Sequence, residues 1–212
     1  MNKATIGTVI IVEDDNFIRH SIEAALNVSG FKVLASVSGA TDAIAAFTKE
    51  APELVLLDLD LGIGPTGIDV AYAIRKIHPA VGIVFLTSFV DPRFADPDTR
   101  STPQGSRYLV KSEISNISEI TSILLQTKHK PFNQNINHMN KFEALTNMQI
   151  EVWKSVAAGL SSSEIAAQRG ISEKAVEATI ARIYAFLEMK RTPSTNPRVL
   201  LANAFAKLSG KN

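Results

Sequence analysis

The chain has 212 residues, of which 45% are hydrophobic and 20% are charged, and its formal net charge is +1 at pH 7. These values are typical of a globular protein with one large or two small domains. The absence of cysteine excludes disulfides and thiolate metal sites. No apolar run approaches the roughly 20 residues of a membrane-spanning helix, and the first residues do not form a signal peptide. We therefore expect a cytoplasmic protein with no membrane partner.

The charge is unevenly distributed along the chain. Residues 1–140 contain 12 basic and 15 acidic residues, a balance of −3, whereas residues 141–212 contain 10 and 6, a balance of +4. Such a split favours two modules, the second of which could face a polyanion. Solvated surfaces produce the same split, so this interpretation needs support from motifs.

Short apolar runs alternate with helical patterns in the first module. The runs predict buried strands over 8–12, 31–37, 54–57, 82–86 and 107–110. Between and after them, apolar residues at helical spacing predict helices that end at Gly30, at about Glu50, before Pro79 and at about Thr127. This alternation predicts an α/β fold with a doubly wound, five-stranded parallel sheet, similar to flavodoxin.

One stretch interrupts the alternation. Residues 89–106 contain three prolines and a glycine and show little apolar periodicity. Because each internal proline costs a helix roughly 3 kcal/mol, we expect a loop or one short turn in place of the fourth helix.

The second module has no strand signals. Helical patterns predict helices at about 146–158, 162–168, 173–187 and 198–208, and Gly170 separates the second from the third. This arrangement predicts a small all-α domain with a helix-turn-helix. The polar stretch before it predicts a linker. We therefore divide the chain into a domain over 1–128, a linker over 129–141 and a helical domain over 142–212.

Polar side chains follow four of the predicted strands. Glu13 and Asp14 follow the first strand, Asp58 the third, Thr87 the fourth and Lys111 the fifth. Because parallel strands place their carboxyl ends at one edge of the sheet, these groups could share a pocket. Carboxylates bind Mg²⁺, an aspartate can act as a nucleophile toward phosphorus, and a hydroxyl and an ammonium can neutralise phosphoryl oxygens. The pocket therefore suits phosphoryl transfer.

The first module resembles the receiver domains of two-component response regulators. The resemblance covers about 7–128 and rests on four ordered motifs: Val12-Glu13-Asp14, Leu57-Asp58, Leu86-Thr87-Ser88 and Tyr108-Leu109-Val110-Lys111. The chain departs from the receiver pattern where Ser112 replaces the usual proline, where the loop over 61–67 is one residue longer, and where the fourth helix is missing.

The resemblance implies a role for each polar residue. Asp58 would accept a phosphoryl group from a histidine kinase, and Thr87 and Lys111 would contact that group. Glu13, Asp14 and Asp58 would bind Mg²⁺ together with the backbone carbonyl of Asp60. Tyr108 would be the aromatic residue whose rotamer follows Thr87.

The second module resembles the LuxR-type DNA-binding domain over about 142–208. The matching motifs are Leu145-Thr146, Gly159-Leu160-Ser161, Glu164-Ile165-Ala166 and Gly170-Ile171-Ser172. In helix-turn-helix proteins the second helix enters the major groove. The resemblance implies that outward residues contact DNA and that nearby arginines add positive charge; these residues are Lys174, Ala175, Ala178, Thr179, Arg182, Arg191 and Arg198.

Together the two resemblances imply a response regulator that binds double-stranded DNA, acts as a homodimer when active and is not an enzyme. Two alternatives stay open. The helical domain could bind a protein partner, since Glu173 and Glu177 on the proposed recognition helix would repel phosphate, or DNA binding could be independent of phosphorylation. The sequence does not identify the input signal, the kinase, the operator or the sign of regulation.

Overall fold

The structure is a computed structural model that describes residues 5–96, 99–129, 141–189 and 195–210. The chain divides into two compact units. The first contains Met1–Thr87 and Arg100–His138, and the second contains Ser88–Thr99 and Met139–Asn212. The segment 88–99, which the sequence analysis assigned to the first domain, therefore belongs to the second unit. The predicted linker over 129–141 lies almost entirely outside the described residues.

The first unit contains the predicted parallel sheet. Its strands are β1 (Gly7–Val12), β2 (Phe31–Val37), β3 (Leu54–Leu57), β4 (Gly82–Thr87) and β5 (Arg107–Val110). They pair in the order β2-β1-β3-β4-β5, and every pair is parallel. The doubly wound five-stranded sheet predicted from the alternation is thus confirmed. All residues of β3 are buried, as expected for a central strand covered on both faces.

The described residues contain nine α-helices, numbered in chain order. They are α1 (Asn16–Ser29), α2 (Ala40–Lys49), α3 (Gly67–Ile77), α4 (Pro92–Ala95), α5 (Ile117–His129), α6 (Asn147–Ala157), α7 (Ser162–Arg169), α8 (Glu173–Phe186) and α9 (Pro197–Leu208). Of these, α1, α2, α3 and α5 belong to the first unit and the others to the second. None of them is long and apolar enough to cross a lipid bilayer.

Two boundaries between strands and helices depend on proline and on capping. The segment between β4 and β5 contains only the four-residue helix α4 among its described residues, which confirms the predicted loop with a short turn. The helix α5 begins at residue 117, after a 3-10 turn over Lys111–Glu113. The Asn116 side chain accepts a hydrogen bond from the Ser118 amide at 3.1 Å, which caps α5 at this point.

In the second unit, Trp153 of α6 packs against Phe94 of α4, Phe205 of α9 and Phe142. The indole is fully buried, and its N–H donates to the Leu201 carbonyl at 2.8 Å. Gly170 ends α7 with a left-handed backbone (φ 64°), and the Ser172 hydroxyl caps α8 by accepting from the Ala175 amide. The helix-turn-helix predicted from the turn glycine is present as α7, this turn and α8.

The loop after β3 is fixed against the first turn of α3. Thr66 and Asp69 form a capping box, in which each side chain bonds the backbone amide of the other residue. The Gly67 amide donates to the Leu59 carbonyl at 2.9 Å. A Cβ atom on Gly67 would lie 1.9 Å from the Asp58 carbonyl oxygen, so only glycine allows this close approach.

We predict that Gly67→Ala destabilises the protein by about 1–3 kcal/mol, because the methyl group must displace backbone. Urea unfolding followed by far-UV circular dichroism measures this change. Gly39→Ala is the matched control, since Gly39 has an ordinary extended backbone (φ −146°) and a Cβ there meets nothing within 4 Å. Equal midpoints for the two variants would contradict the packing argument.

Candidate functional site

Three carboxylates meet at the carboxyl edge of the sheet. Val12 pairs with Leu57 across β1 and β3, so the residues that directly follow these strands are neighbours. Glu13, Asp14 and Asp58 each offer a carboxylate oxygen, and these oxygens lie within 4.8 Å of one another. Only Asp14 is exposed, whereas Glu13 and Asp58 are 2% and 5% exposed.

Lys111 neutralises the two buried carboxylates. It follows β5 directly, and its Nζ lies 2.6 Å from Asp58 Oδ2 and 2.8 Å from Glu13 Oε2. The other Asp58 oxygen, Oδ1, accepts a hydrogen bond from the Leu59 amide at 2.6 Å. The Asp58 carboxylate is therefore held in one orientation by an ammonium on one side and a backbone amide on the other.

The proximity of these groups shifts their proton affinities. Burial raises the pKa of Glu13 to about 7, and repulsion by Asp58 adds to the effect, against the opposing attraction of Lys111. Burial and the Asp58 charge also raise the pKa of Asp14. Burial alone would lower the pKa of Lys111, but attraction and hydrogen bonding by Asp58 and Glu13 outweigh it and raise that pKa. Glu13 and Asp14 thus bind a proton more readily than isolated carboxylates do.

The donor set of this cluster fits Mg²⁺. The ion prefers hard oxygen ligands and binds proteins through a few carboxylates while it keeps several waters. The three clustered carboxylates supply such ligands, and together with Lys111 they leave a net negative charge that a cation would offset. Asp60, whose backbone carbonyl is a further predicted ligand, lies two residues beyond Asp58 and is exposed.

The remaining predicted residues lie on the adjoining strands. Thr87 ends β4, is fully buried and pairs with Val110, so it and Lys111 come from neighbouring strand ends. Tyr108 is half-buried in β5, and its ring centroid lies 6.3 Å from that of Phe85 in β4. The structure thus brings together Glu13, Asp14, Asp58 and Lys111, and it places Thr87 and Tyr108 on the two strands beside them.

Two residues that were not predicted from the sequence shape the cluster. One is Gly67, which lets α3 contact the Asp58 backbone. The other is Arg19, whose guanidinium donates to the carbonyls of Glu13 at 2.7 Å and Asp14 at 3.4 Å. A cation in the first turns of a helix is disfavoured by the helix dipole, so the position of Arg19 was a signal that it serves a nearby acceptor.

The helix α8 presents a polar face to solvent. Four of the predicted DNA-contacting residues are exposed on it, namely Lys174, Ala175, Ala178 and Arg182. The opposite face contributes Val176, Ile180 and Ile183 to the core of the second unit. This is the amphipathic arrangement that a recognition helix needs.

The structure corrects one predicted contact and reassigns another. Thr179 is 8% exposed and its hydroxyl donates to the Ala175 carbonyl, so the expectation of an outward Thr179 is wrong. The hydroxyl of a threonine within a helix commonly donates in this way to the carbonyl of the preceding turn. The guanidinium of Arg198 donates to the Leu160 carbonyl and the Ser162 hydroxyl, so it ties α9 to α7 in place of pointing outward. Arg191 lies outside the described residues.

Comparison with known proteins agrees with both modules. The response regulator receiver domain family matches residues 9–128, and the luxR family of bacterial regulatory proteins matches residues 143–193. A nitrate/nitrite response regulator protein homolog of Haemophilus influenzae is 27% identical, and the match covers 82% of this chain and 87% of that protein. The response regulator protein VraR of Staphylococcus epidermidis is also 27% identical, over 86% of this chain and 90% of that protein.

A solved structure gives the same fold. It is that of the RcsB response regulator of Salmonella typhimurium, described for its conformational dynamism for DNA interaction. The TM-score is 0.55 and the identity 19%, with 99% of this chain and 100% of that chain covered. The receiver-domain match alone spans more than half of the sequence, and the chain therefore belongs to the response regulator family, with a receiver domain followed by a LuxR-type regulatory domain.

Proposed function

We propose that the chain is a transcription regulator whose DNA binding is controlled by phosphorylation of Asp58. The observation that carries this proposal is the Asp58 carboxylate, oriented by Lys111 and the Leu59 amide beside two further carboxylates. No metabolic reaction is assigned to the chain, because the proposed chemistry modifies the protein itself.

In the proposed step, a carboxylate oxygen of Asp58 forms a bond to the phosphorus of a phosphohistidine on a histidine kinase. The phosphorus–nitrogen bond breaks, and the imidazole leaves with the electron pair and takes up a proton. The product is an aspartyl phosphate. Lys111 and the Thr87 hydroxyl would stabilise the phosphoryl oxygens by charge and hydrogen bonding, and Tyr108 would follow the movement of Thr87.

Glu13, Asp14, Asp58 and the Asp60 carbonyl would hold Mg²⁺. The ion, when bound, supplies positive charge that offsets repulsion between the carboxylates and the incoming phosphoryl group. Lys111 would supply a second positive charge beside the ion. Arg19 fixes the backbone of Glu13 and Asp14 through hydrogen bonds to their carbonyls.

The second unit would place α8 in the major groove of double-stranded DNA, with Lys174, Ala175, Ala178 and Arg182 toward the duplex. Lysine and arginine suit phosphates and guanine edges. The LuxR-type match and the RcsB structure support this proposal. We further propose that the active form is a homodimer, as two-fold recognition by helix-turn-helix proteins requires, and that it works in the cytoplasm, where genomic DNA is accessible.

We predict that incubation with a small phosphodonor and Mg²⁺ adds one phosphoryl group to the wild type and none to Asp58→Asn. Asparagine keeps the shape of the side chain but lacks the nucleophilic carboxylate. Intact-mass spectrometry measures the addition. Asp60→Asn, in the same loop but with an exposed carboxylate, should still be phosphorylated. Modification of Asp58→Asn would contradict the assignment.

Mg²⁺ affinity should fall at acidic pH, because metal binding requires a deprotonated Glu13 and the pKa of Glu13 is raised to about 7. The dissociation constant should rise by about tenfold for each pH unit below that pKa. Calorimetric titration at about pH 6 and pH 8 measures the effect.

The matched variants for this titration are Glu13→Gln and Asp42→Asn. Glu13→Gln should lose most of the pH dependence, whereas removal of the exposed Asp42 carboxylate of α2 should preserve it. A dependence that survives in Glu13→Gln would show that another group controls the binding of the ion.

For the second unit, we predict that Arg182→Ala weakens duplex binding by about tenfold and lowers the slope of log K against log salt by about 1, since one phosphate contact is lost. Fluorescence anisotropy at several salt concentrations measures both. Lys207→Ala, which removes an exposed cation from α9, is the control and should change little. Salt-independent binding, or no binding, would favour the protein-partner alternative.

A further inference from the structure

The short segment between β4 and β5 is built into the core of the DNA-binding unit. Phe94 of α4 is 2% exposed. Its ring packs edge-on against Phe142, Trp153 and Phe205, with centroid distances of 5.2, 5.4 and 5.4 Å. This geometry matches the favoured edge-to-face arrangement of aromatic rings. A side chain from the receiver-like part of the sequence thus completes the aromatic core of the second unit.

Polar contacts fix the same segment. The Arg93 guanidinium donates to the carbonyls of Leu145 at 2.6 Å and Phe142 at 2.7 Å, and it pairs with the buried Asp91 carboxylate at 2.8 Å. The Lys154 ammonium donates to the Ala95 carbonyl at 3.0 Å. A four-residue helix is too short to be stable alone, so these contacts determine its conformation.

The start of the segment is anchored within the second unit, a few residues after Thr87 along the chain. The Val90 amide donates to the Leu208 carbonyl at the end of α9 at 3.1 Å. Thr87, which ends β4, is only three residues earlier, and three residues span at most about 10 Å. Only Ser88 and Phe89 therefore separate Thr87 from the anchored Val90 along the chain.

We propose that residues 88–96, which we call the strap, transmit the phosphorylation state of the receiver directly into the core of the DNA-binding unit. This inference rests on the proposed function, since it requires phosphorylation at Asp58. In this device, a displacement of Thr87 pulls the strap and alters the packing of Phe94 against Trp153. The connection through 130–140 is not needed for the signal.

Trp153 provides the test, because it is the only tryptophan of the chain and it contacts Phe94. The full-length protein is treated with a small phosphodonor and Mg²⁺, and Trp153 emission and intact mass are recorded together. We expect the wild type to gain one phosphoryl group and to show a shift in emission maximum. An insertion of four Gly-Ser residues between Ser88 and Phe89 should abolish the shift but allow phosphorylation. The same insertion within 130–140 should preserve both.

Two further variants separate docking from folding. Arg93→Gln should reduce the emission shift while far-UV circular dichroism stays unchanged, and Arg100→Ala, in the same connection but in the first unit, should leave the shift intact. A shift that survives the insertion after Ser88, or is lost with the insertion in 130–140, would overturn the strap. A wild type that gains phosphate without a change in emission would refute the coupling alone, whereas one that gains no phosphate would refute the proposed function itself.

Discussion

The receiver-like unit depends on keeping two buried carboxylates beside one ammonium. Glu13 and Asp58 are nearly inaccessible to water, and Lys111 contacts both. Removing Lys111 would leave two uncompensated buried carboxylates, and the loss of one partner from a buried ion pair is typically destabilising by about 3–5 kcal/mol. The sheet holds this arrangement because its parallel register brings the ends of β1, β3 and β5 to the same edge. Stability and proposed chemistry thus share the same atoms.

The charge balance of the cluster explains why it would need a cation before it accepts a phosphoryl group. Three carboxylates face one ammonium, and the pKa of Glu13 is raised to about 7. At neutral pH this cluster is thus partly protonated without a metal. A phosphoryl group brings further negative charge, with about −1.5 to −2 at pH 7 for a phosphorylated side chain. A divalent cation that displaces the Glu13 proton would favour both the ionised cluster and its modification.

Regular periodicity made most of the fold predictable from the sequence. The strands over 31–37, 54–57 and 107–110 were predicted with the bounds that the structure has, because each apolar run stops at a polar or glycine residue. The acidic cluster was predictable from strand ends and their shared edge. Arg19 and Gly67 were not, since their roles depend on backbone atoms that only the folded loops bring near them.

The helical face was predicted less well than the acidic edge. The spacing of apolar residues defines the centre of the buried face of a helix but not its edges. Thr179 lies at the edge of the apolar stripe of α8 and was therefore predicted to face outward, although it is buried. Arg198 was counted as a free cation, although it donates to the Leu160 carbonyl and the Ser162 hydroxyl and lies 3.5 Å from the Glu177 carboxylate, because only the fold brings these partners together.

The prolines of the segment 88–99 made its irregular structure predictable from the sequence. The compact unit to which the segment belongs was not predictable. Pro92 is tolerated at the first turn of α4, where no amide donor is needed, and Asp91 caps that turn. These local features predict a turn but not its neighbours. Burial of the Phe94 side chain contributes about 1.5–3 kcal/mol to the stability of the folded state. Because its partners are distant in sequence, this contribution cannot be predicted from the segment alone. The second unit therefore has a hydrophobic core to which a segment distant in sequence, between β4 and β5, contributes a buried ring.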